Sequence, residues 1–193
     1  VTRAVQETAG EVLMKDGRPV KAYYNSTCGG RTAPASTVFP DDSTPGVMER
    51  GVPCPDCRRS PFHTWVRRVP AQRACAAAGL PAGRLESVQV VSDDRSGRAQ
   101  TFVLRAAGRE ASVPADLFRE RVSSGLPLAE QLLSTRLMMP PRIEDDTLVI
   151  EGQGWGHGVG LCQYGASGFA ARGGSYRHIL SRYYPGAELV PGA

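Results

Sequence analysis

Residues 151–168 read Glu-Gly-Gln-Gly-Trp-Gly-His-Gly-Val-Gly-Leu-Cys-Gln-Tyr-Gly-Ala-Ser-Gly. Glycine takes every second position from Gly152 to Gly160. Two is the period of a β-strand, so the stretch is expected to run as a strand with one bare face. The other face would carry Gln153, Trp155, His157, Val159 and Leu161. A bare face admits another backbone or a ligand at close range. Two readings stand: a structural strand packed beneath a helix, or a functional surface. Ordering five alternating glycines costs folding entropy, which favours the functional surface. There Trp155 can stack on a sugar ring, while His157 and Gln163 can hydrogen-bond hydroxyl or acetamido groups. The spacing matches neither the phosphate-binding loop of nucleotide hydrolases nor the dinucleotide fingerprint.

Outward from this ribbon, the chain alternates short strands with short helices. Lys15-Asp16-Gly17-Arg18 separates strand-like 11–14 from 19–24, and Asp-Gly between two such runs signals a hairpin. A second hairpin is expected between 85–92 and 100–106, with a further strand at 110–113. Ala71–Ala78 reads as a helix closed by Gly79. Pro114–Val122 reads as a helix with Leu117, Phe118 and Val122 on its apolar side. Residues 134–139 and 147–150 are strand candidates. Ser175 can cap a last helix running to Arg182, with Tyr176, Ile179, Leu180 and Tyr183 at helical spacing. The mixture predicts an α+β fold with largely antiparallel sheet, laid out as one domain over residues 1–193.

Residues 28–63 carry six prolines and the pair Gly29-Gly30. Irregular segments of this length are usually functional or tied down. The cysteines suggest the tie. Cys54-Pro-Asp-Cys57 is a two-spacer pair, His63 follows six residues later, and Cys28 sits beside the flexible glycines. Cys28, Cys54, Cys57 and His63 would offer zinc its four ligands and clip the loop together as a structural site. A Cys54–Cys57 disulfide, a redox pair and free thiols are the alternatives, though the prolines remove the helical context of a thioredoxin-like motif. Cys75, in the alanine-rich helix, reads as a small buried hydrophobe. Cys162 is either core or a substitute ligand.

Composition is that of a globular chain. The 193 residues are 41% hydrophobic and 22% charged. No apolar run approaches the ~20 residues that span a bilayer. A net charge of +4 leans weakly toward anionic partners, but the arginines are scattered and no nucleic-acid-binding pattern emerges. Asp41-Asp42, Asp93-Asp94 and Asp145-Asp146 read as solvated turns rather than acid catalysts. The chain begins at Val1, with no visible export signal, and is expected to be a processed form or a fragment.

Several ordered blocks resemble the stage II sporulation protein D family, which includes the amidase enhancers. They are Ala4–Leu13, Tyr24–Thr32, Ser60–Trp65, Ser96–Arg98, Phe118-Arg119, Gly154–Ala166 and Ile179–Gly186. The resemblance implies a peptidoglycan lytic transglycosylase acting on MurNAc–GlcNAc bonds without water and leaving a 1,6-anhydro sugar. Such cleavage needs an acid for the leaving oxygen and a base for the C6 hydroxyl, and one Glu can serve as both in turn. In the family that Glu lies upstream of the Ala4–Leu13 block, so no residue of this chain matches it. The resemblance further implies a groove for peptidoglycan glycan strands, lined by Ser26, Thr32, Trp155, His157, Gln163 and Tyr164. It also implies metal near cysteines and histidine, a cell-wall amidase as candidate partner, and an extracytoplasmic location. The rival reading is a non-catalytic peptidoglycan-binding or amidase-activating module. A zinc hydrolase using His157 is a third.

Overall fold

The structure, a computed structural model, describes residues 2–40, 47–93 and 97–191. Helix α1 (Thr2–Glu7) leads into β1 (Glu11–Lys15) and β2 (Arg18–Pro19). Next come β3 (Tyr24–Asn25), the one-turn helix α2 (Ala35–Val38) and a 3-10 turn at Pro55–Arg59. The middle of the chain forms β4 (Thr64–Pro70), α3 (Ala71–Ala78), β5 (Leu85–Asp93), β6 (Arg98–Ala106), β7 (Arg109–Pro114) and α4 (Ala115–Ser123). The rest forms β8 (Arg142–Glu144), β9 (Thr147–Gln153), β10 (Leu161–Cys162), α5 (Gln163–Ala170), α6 (Tyr176–Tyr183) and β11 (Glu188–Pro191). Strands pair antiparallel in three sheets ordered β11-β1-β2, β4-β9-β8 and β5-β6-β7, while β3 and β10 pair in parallel. This is the expected α+β arrangement. No described helix is long and apolar enough to cross a membrane.

Local chemistry accounts for much of this. Asp16 and Gly17 both have positive φ, 49° and 73°, as a two-residue type I′ turn requires, and Lys15 pairs with Arg18 across it. The second arm is far shorter than the expected strand to Tyr24. Regular pairing ends at Met14–Pro19, followed by one further backbone bond from Val20 N–H to the Leu13 carbonyl at 2.8 Å, and β11 takes the other edge of β1. The second hairpin forms as β5–β6, but part of its turn, with Asp94 and Ser96, lies outside the described residues, as do Asp41 and Asp42. Helix α3 ends at Gly79, whose φ is 72°. Residues 134–139 do not form the expected strand. They touch the edge of β9 through single bridges such as Leu137–Gly152.

Two apolar cores result. The larger gathers Phe102, Leu104, Leu148 and Ile150 from the sheets with Phe118 and Val122 from α4, and Phe102 stacks on Phe118 at 4.6 Å. Phe118 and Val122, four apart, define the buried stripe of α4. Leu117, one position off it, is 36% exposed, against expectation. The smaller core surrounds Cys28, Cys54, Cys57 and Cys162 with Val47, Met48, Val159, Ile179, Tyr183 and Tyr184. Ile179 and Tyr183 face it from α6, while Tyr176 turns outward and its hydroxyl donates to the Glu11 carboxylate.

Candidate metal centre and glycine ribbon

The glycine ribbon runs between the two cores, and it is not a continuous strand. Strand β9 stops at Gln153. Beyond it Gly154, Gly156, Gly158 and Gly160 all have φ between 70° and 99°. The period of two marks alternation between left-handed and ordinary backbone rather than the two faces of a sheet. Glycine is required here because L side chains rarely adopt this conformation. Contact requires it too. A Cβ on Gly154 would lie 3.0 Å from the Gly29 nitrogen, and one on Gly160 would lie 2.7 Å from the Tyr23 carbonyl carbon. One on Gly158 would lie 2.5 Å from the Arg98 guanidinium carbon. Gly152, Gly154, Gly158 and Gly160 are buried against the protein itself. The part that reaches the surface is Trp155-Gly156-His157, half-buried.

Arg98 explains how the ribbon is held. Its side chain is among the largest fully buried ones. It donates from Nη1 to the Gly156 carbonyl and from Nη2 to the Cys28 carbonyl, both at 3.4 Å. Burial, reinforced by the neighbouring Arg136 charge, lowers its pKa to about 10. The guanidinium ties β6 to both the ribbon and the cysteine loop.

The cysteine loop is organised around sulfur. The Sγ atoms of Cys28, Cys54, Cys57 and Cys162 all lie within 4.8 Å of one another, and all four residues are buried. Cys28 and Cys57 are 3.8 Å apart, far beyond the ~2.05 Å of a disulfide. An ion held tetrahedrally by four sulfurs at ~2.3 Å requires them about 3.8 Å apart. Donors converge on the sulfurs: Gly30 N–H on Cys57 at 3.2 Å, Cys28 N–H and Gly165 N–H on Cys162 at 3.3 and 3.4 Å. The Tyr183 hydroxyl lies 3.0 Å from Cys54 Sγ. The thiols share protons unequally. Hydrogen bonds from its sulfur neighbours, Cys162 first, push Cys57 down, and those from Cys28 first push Cys162 down. Their partners Cys28 and Cys54 are pushed up, chiefly by the contact with Cys162. A cation resolves this competition by letting all four sulfurs ionise. These cysteines can hold a metal ion.

The fourth sulfur comes from Cys162, where the spacing pointed to His63. Two features of the fold explain the exchange. Parallel pairing sets Cys162 opposite Asn25, and the Asn25 carboxamide braces the pair by donating to the Val159 and Leu161 carbonyls at 3.2 and 3.4 Å. After the 3-10 turn, by contrast, Ser60–His63 bends toward β4 and the ribbon, where the His63 carbonyl accepts from Gly154 N–H at 3.1 Å. His63 lies outside the cysteine group. Asp56 steadies the turn. Its side chain is 3% exposed and pairs with Arg172 and Arg182. Cys75 sits apart in α3, buried, its pKa raised by desolvation.

The residues expected to line a groove are only partly assembled. Trp155 exchanges backbone hydrogen bonds with Thr27, and its ring packs edge-on against Phe62 at 4.5 Å. The Ser26 backbone carbonyl accepts from Tyr164 N–H at 3.2 Å, so these two are neighbours, with Gln163 exposed beside them. His157 lies against Phe39 and Tyr23, at 5.2 and 6.0 Å, and its Nδ1 accepts from Val159 N–H. Burial first, and then Arg98, lower the His157 pKa, which favours the neutral ring. Thr32 is buried, and its hydroxyl accepts from Val52 N–H at 2.7 Å. It closes the cysteine loop and does not face the surface.

No family model matches the chain. It is 26% identical to the stage II sporulation protein D of Bacillus amyloliquefaciens over 98% of its length, covering 50% of that protein. It is 26% identical to the amidase enhancer of Bacillus subtilis over 97% of its length, covering 32% of that protein. An uncharacterised protein of Brachyspira hyodysenteriae is 28% identical over 98% of this chain, which covers 48% of it. The chain thus spans half or less of the length of these curated relatives, and its similarity to proteins named stage II sporulation protein D and amidase enhancer extends along nearly all its residues.

Proposed function

We propose that this chain is part of an extracytoplasmic protein that binds and cleaves peptidoglycan glycan strands in the manner of a lytic transglycosylase. The observation that carries this reading is the similarity to a stage II sporulation protein D over 98% of the chain. By the family resemblance, the Glu that protonates the leaving oxygen and then receives the C6 hydroxyl proton belongs to a segment preceding the Ala4–Leu13 block. The chemistry is therefore proposed for the longer protein. The residues here supply the scaffold and part of the glycan surface: Trp155 for stacking, with Ser26, Gln163 and Tyr164 as polar neighbours. The cysteine centre holds zinc, which suits four thiolates in a tetrahedron and joins loop 28–57 to β10.

The test is incubation of the full-length protein with purified sacculi, followed by mass spectrometry of the released material. Anhydro-muropeptides support the reading. Binding without release favours an amidase-activating module instead, a reading supported by the similarity to an amidase enhancer. Stimulation of a purified amidase would establish that alternative.

A further inference from the structure

Arg98 and Arg136 stand beside the cysteine loop as neighbours. An antiparallel bridge joins the two residues, and Ala99 N–H donates to the Thr135 carbonyl at 2.7 Å alongside it. Both side chains then reach the same stretch of the loop. Arg98 Nη2 donates to the Cys28 carbonyl at 3.4 Å, and Arg136 Nε donates to the Gly29 carbonyl at 3.1 Å. Arg136 Nε is also 3.2 Å from the Gln153 side-chain oxygen. Arg98 is 1% exposed, and Arg136 is partly buried.

Two guanidiniums close together and out of water repel each other and lose hydration. Negative charge beside them offsets both costs, and the sulfur group can provide it. Four thiolates around a divalent ion leave two net negative charges, and around a trivalent ion they leave one. Sulfur and guanidinium are within electrostatic reach of each other. Burial lowers the pKa of both arginines, Arg136 lowers that of Arg98 further, and the Cys28 sulfur acts in the opposite direction on both. The N–H groups of Cys28, Gly30 and Gly165 and the Tyr183 hydroxyl reach the sulfurs as neutral dipoles. A neutral amide side chain could likewise satisfy the Cys28 and Gly29 carbonyls. What the arginines add is net charge.

We infer that Arg98 and Arg136 set the charge of the ion this centre accepts, favouring a divalent ion over a trivalent one. The inference rests on the cysteines holding a metal. Neither arginine is a ligand, and both act through the field at the sulfurs. Positive charge stabilises the more negative of two states, and it does so strongly where water is excluded. Zinc(II) is therefore bound more tightly than it would be without these charges. Iron in the same four thiolates is held toward iron(II), since net charge sets the potential of such a site.

The experiment compares Arg136→Gln with Arg136→Lys in the full-length protein, because Arg136 is the less buried of the two. Zinc affinity is read by competition with a chromogenic chelator. The iron(III)/iron(II) potential of iron-loaded protein is read by voltammetry, in which the electrode supplies the one electron. Arg136→Gln should weaken zinc binding about tenfold, the lower end of the ~10–100-fold effect of groups behind metal ligands. It should also raise the iron(III)/iron(II) ratio at fixed potential about tenfold, a fall of about 59 mV for one electron. Arg136→Lys keeps the charge and should keep both values. Arg105→Gln, on the same strand β6 but paired with Glu86 at the surface, should move neither. A merely structural role would lower the melting temperature of both Arg136 variants without moving the potential, which overturns the inference. Equal shifts in the Gln and Lys variants, or none in Gln, overturn it too and leave the metal centre standing. A chain that takes up no metal overturns both.

Discussion

Gly158→Ala puts the ribbon's architecture to a quantitative test. Gly158 has a φ of 80°, and left-handed backbone costs an L-residue about 1–2 kcal/mol. That penalty alone would be modest. The added methyl would also lie 2.5 Å from Cζ and 2.8 Å from Nε of Arg98, so the guanidinium must move. Moving it breaks the bonds to the Gly156 and Cys28 carbonyls. Hydrogen bonds to a charged group contribute about 1.5–3 kcal/mol. With two such bonds lost on top of the backbone penalty, the combined loss is about 4–8 kcal/mol, a large share of the ~5–15 kcal/mol that stabilises a typical domain. Gly173→Ala is the control. Its φ is 88°, yet nothing lies within 4 Å of the added methyl, so it should cost only the backbone penalty. Urea unfolding followed by tryptophan fluorescence gives both values. If Gly158→Ala costs no more than Gly173→Ala, Arg98 does not pin the ribbon and the packing account fails.

Cys162→Ser should abolish stoichiometric metal in elemental analysis, whereas His63→Ala should retain about one ion per chain; the opposite result would restore His63 as a ligand. A strong chelator should lower the melting temperature markedly, because structural zinc binding is coupled to folding; a metal-free chain of unchanged stability would contradict a structural role. Tyr183→Phe removes the hydroxyl beside Cys54 and should weaken metal affinity about tenfold, read by competition with a chromogenic chelator. The His157 pKa is lowered in the folded chain by burial and by Arg98, so the unfolded chain binds more protons just below ~6.5. Stability should therefore fall as pH drops through that value, less steeply in His157→Phe; identical profiles would show that the ring is solvated. Trp155→Ala should weaken sacculus binding with circular dichroism unchanged, and a merely unfolded variant would instead place Trp155 in the core.

Sequence alone determined the features whose cause is local. Asp16-Gly17 dictates a type I′ turn because two successive left-handed residues suit it. Gly79 ends α3 for a related steric reason, and Phe118 with Val122 marks the inner side of α4. The cysteine pair at 54 and 57 was legible because a two-residue spacer fits a single turn. The rest is long-range. Whether Cys162 or His63 completes the sulfur group depends on β3 and β10 pairing in parallel, across more than a hundred residues, and no spacing rule encodes that. The glycine repeat was visible but ambiguous, since strand alternation and alternating left-handed backbone share one period. Only the proximity of Arg98, Tyr23 and Thr27 separates them. Thr32 and Ser26 are similar on paper, and packing alone sent one hydroxyl inward to Val52 and left the other half-buried beside the Thr27 hydroxyl.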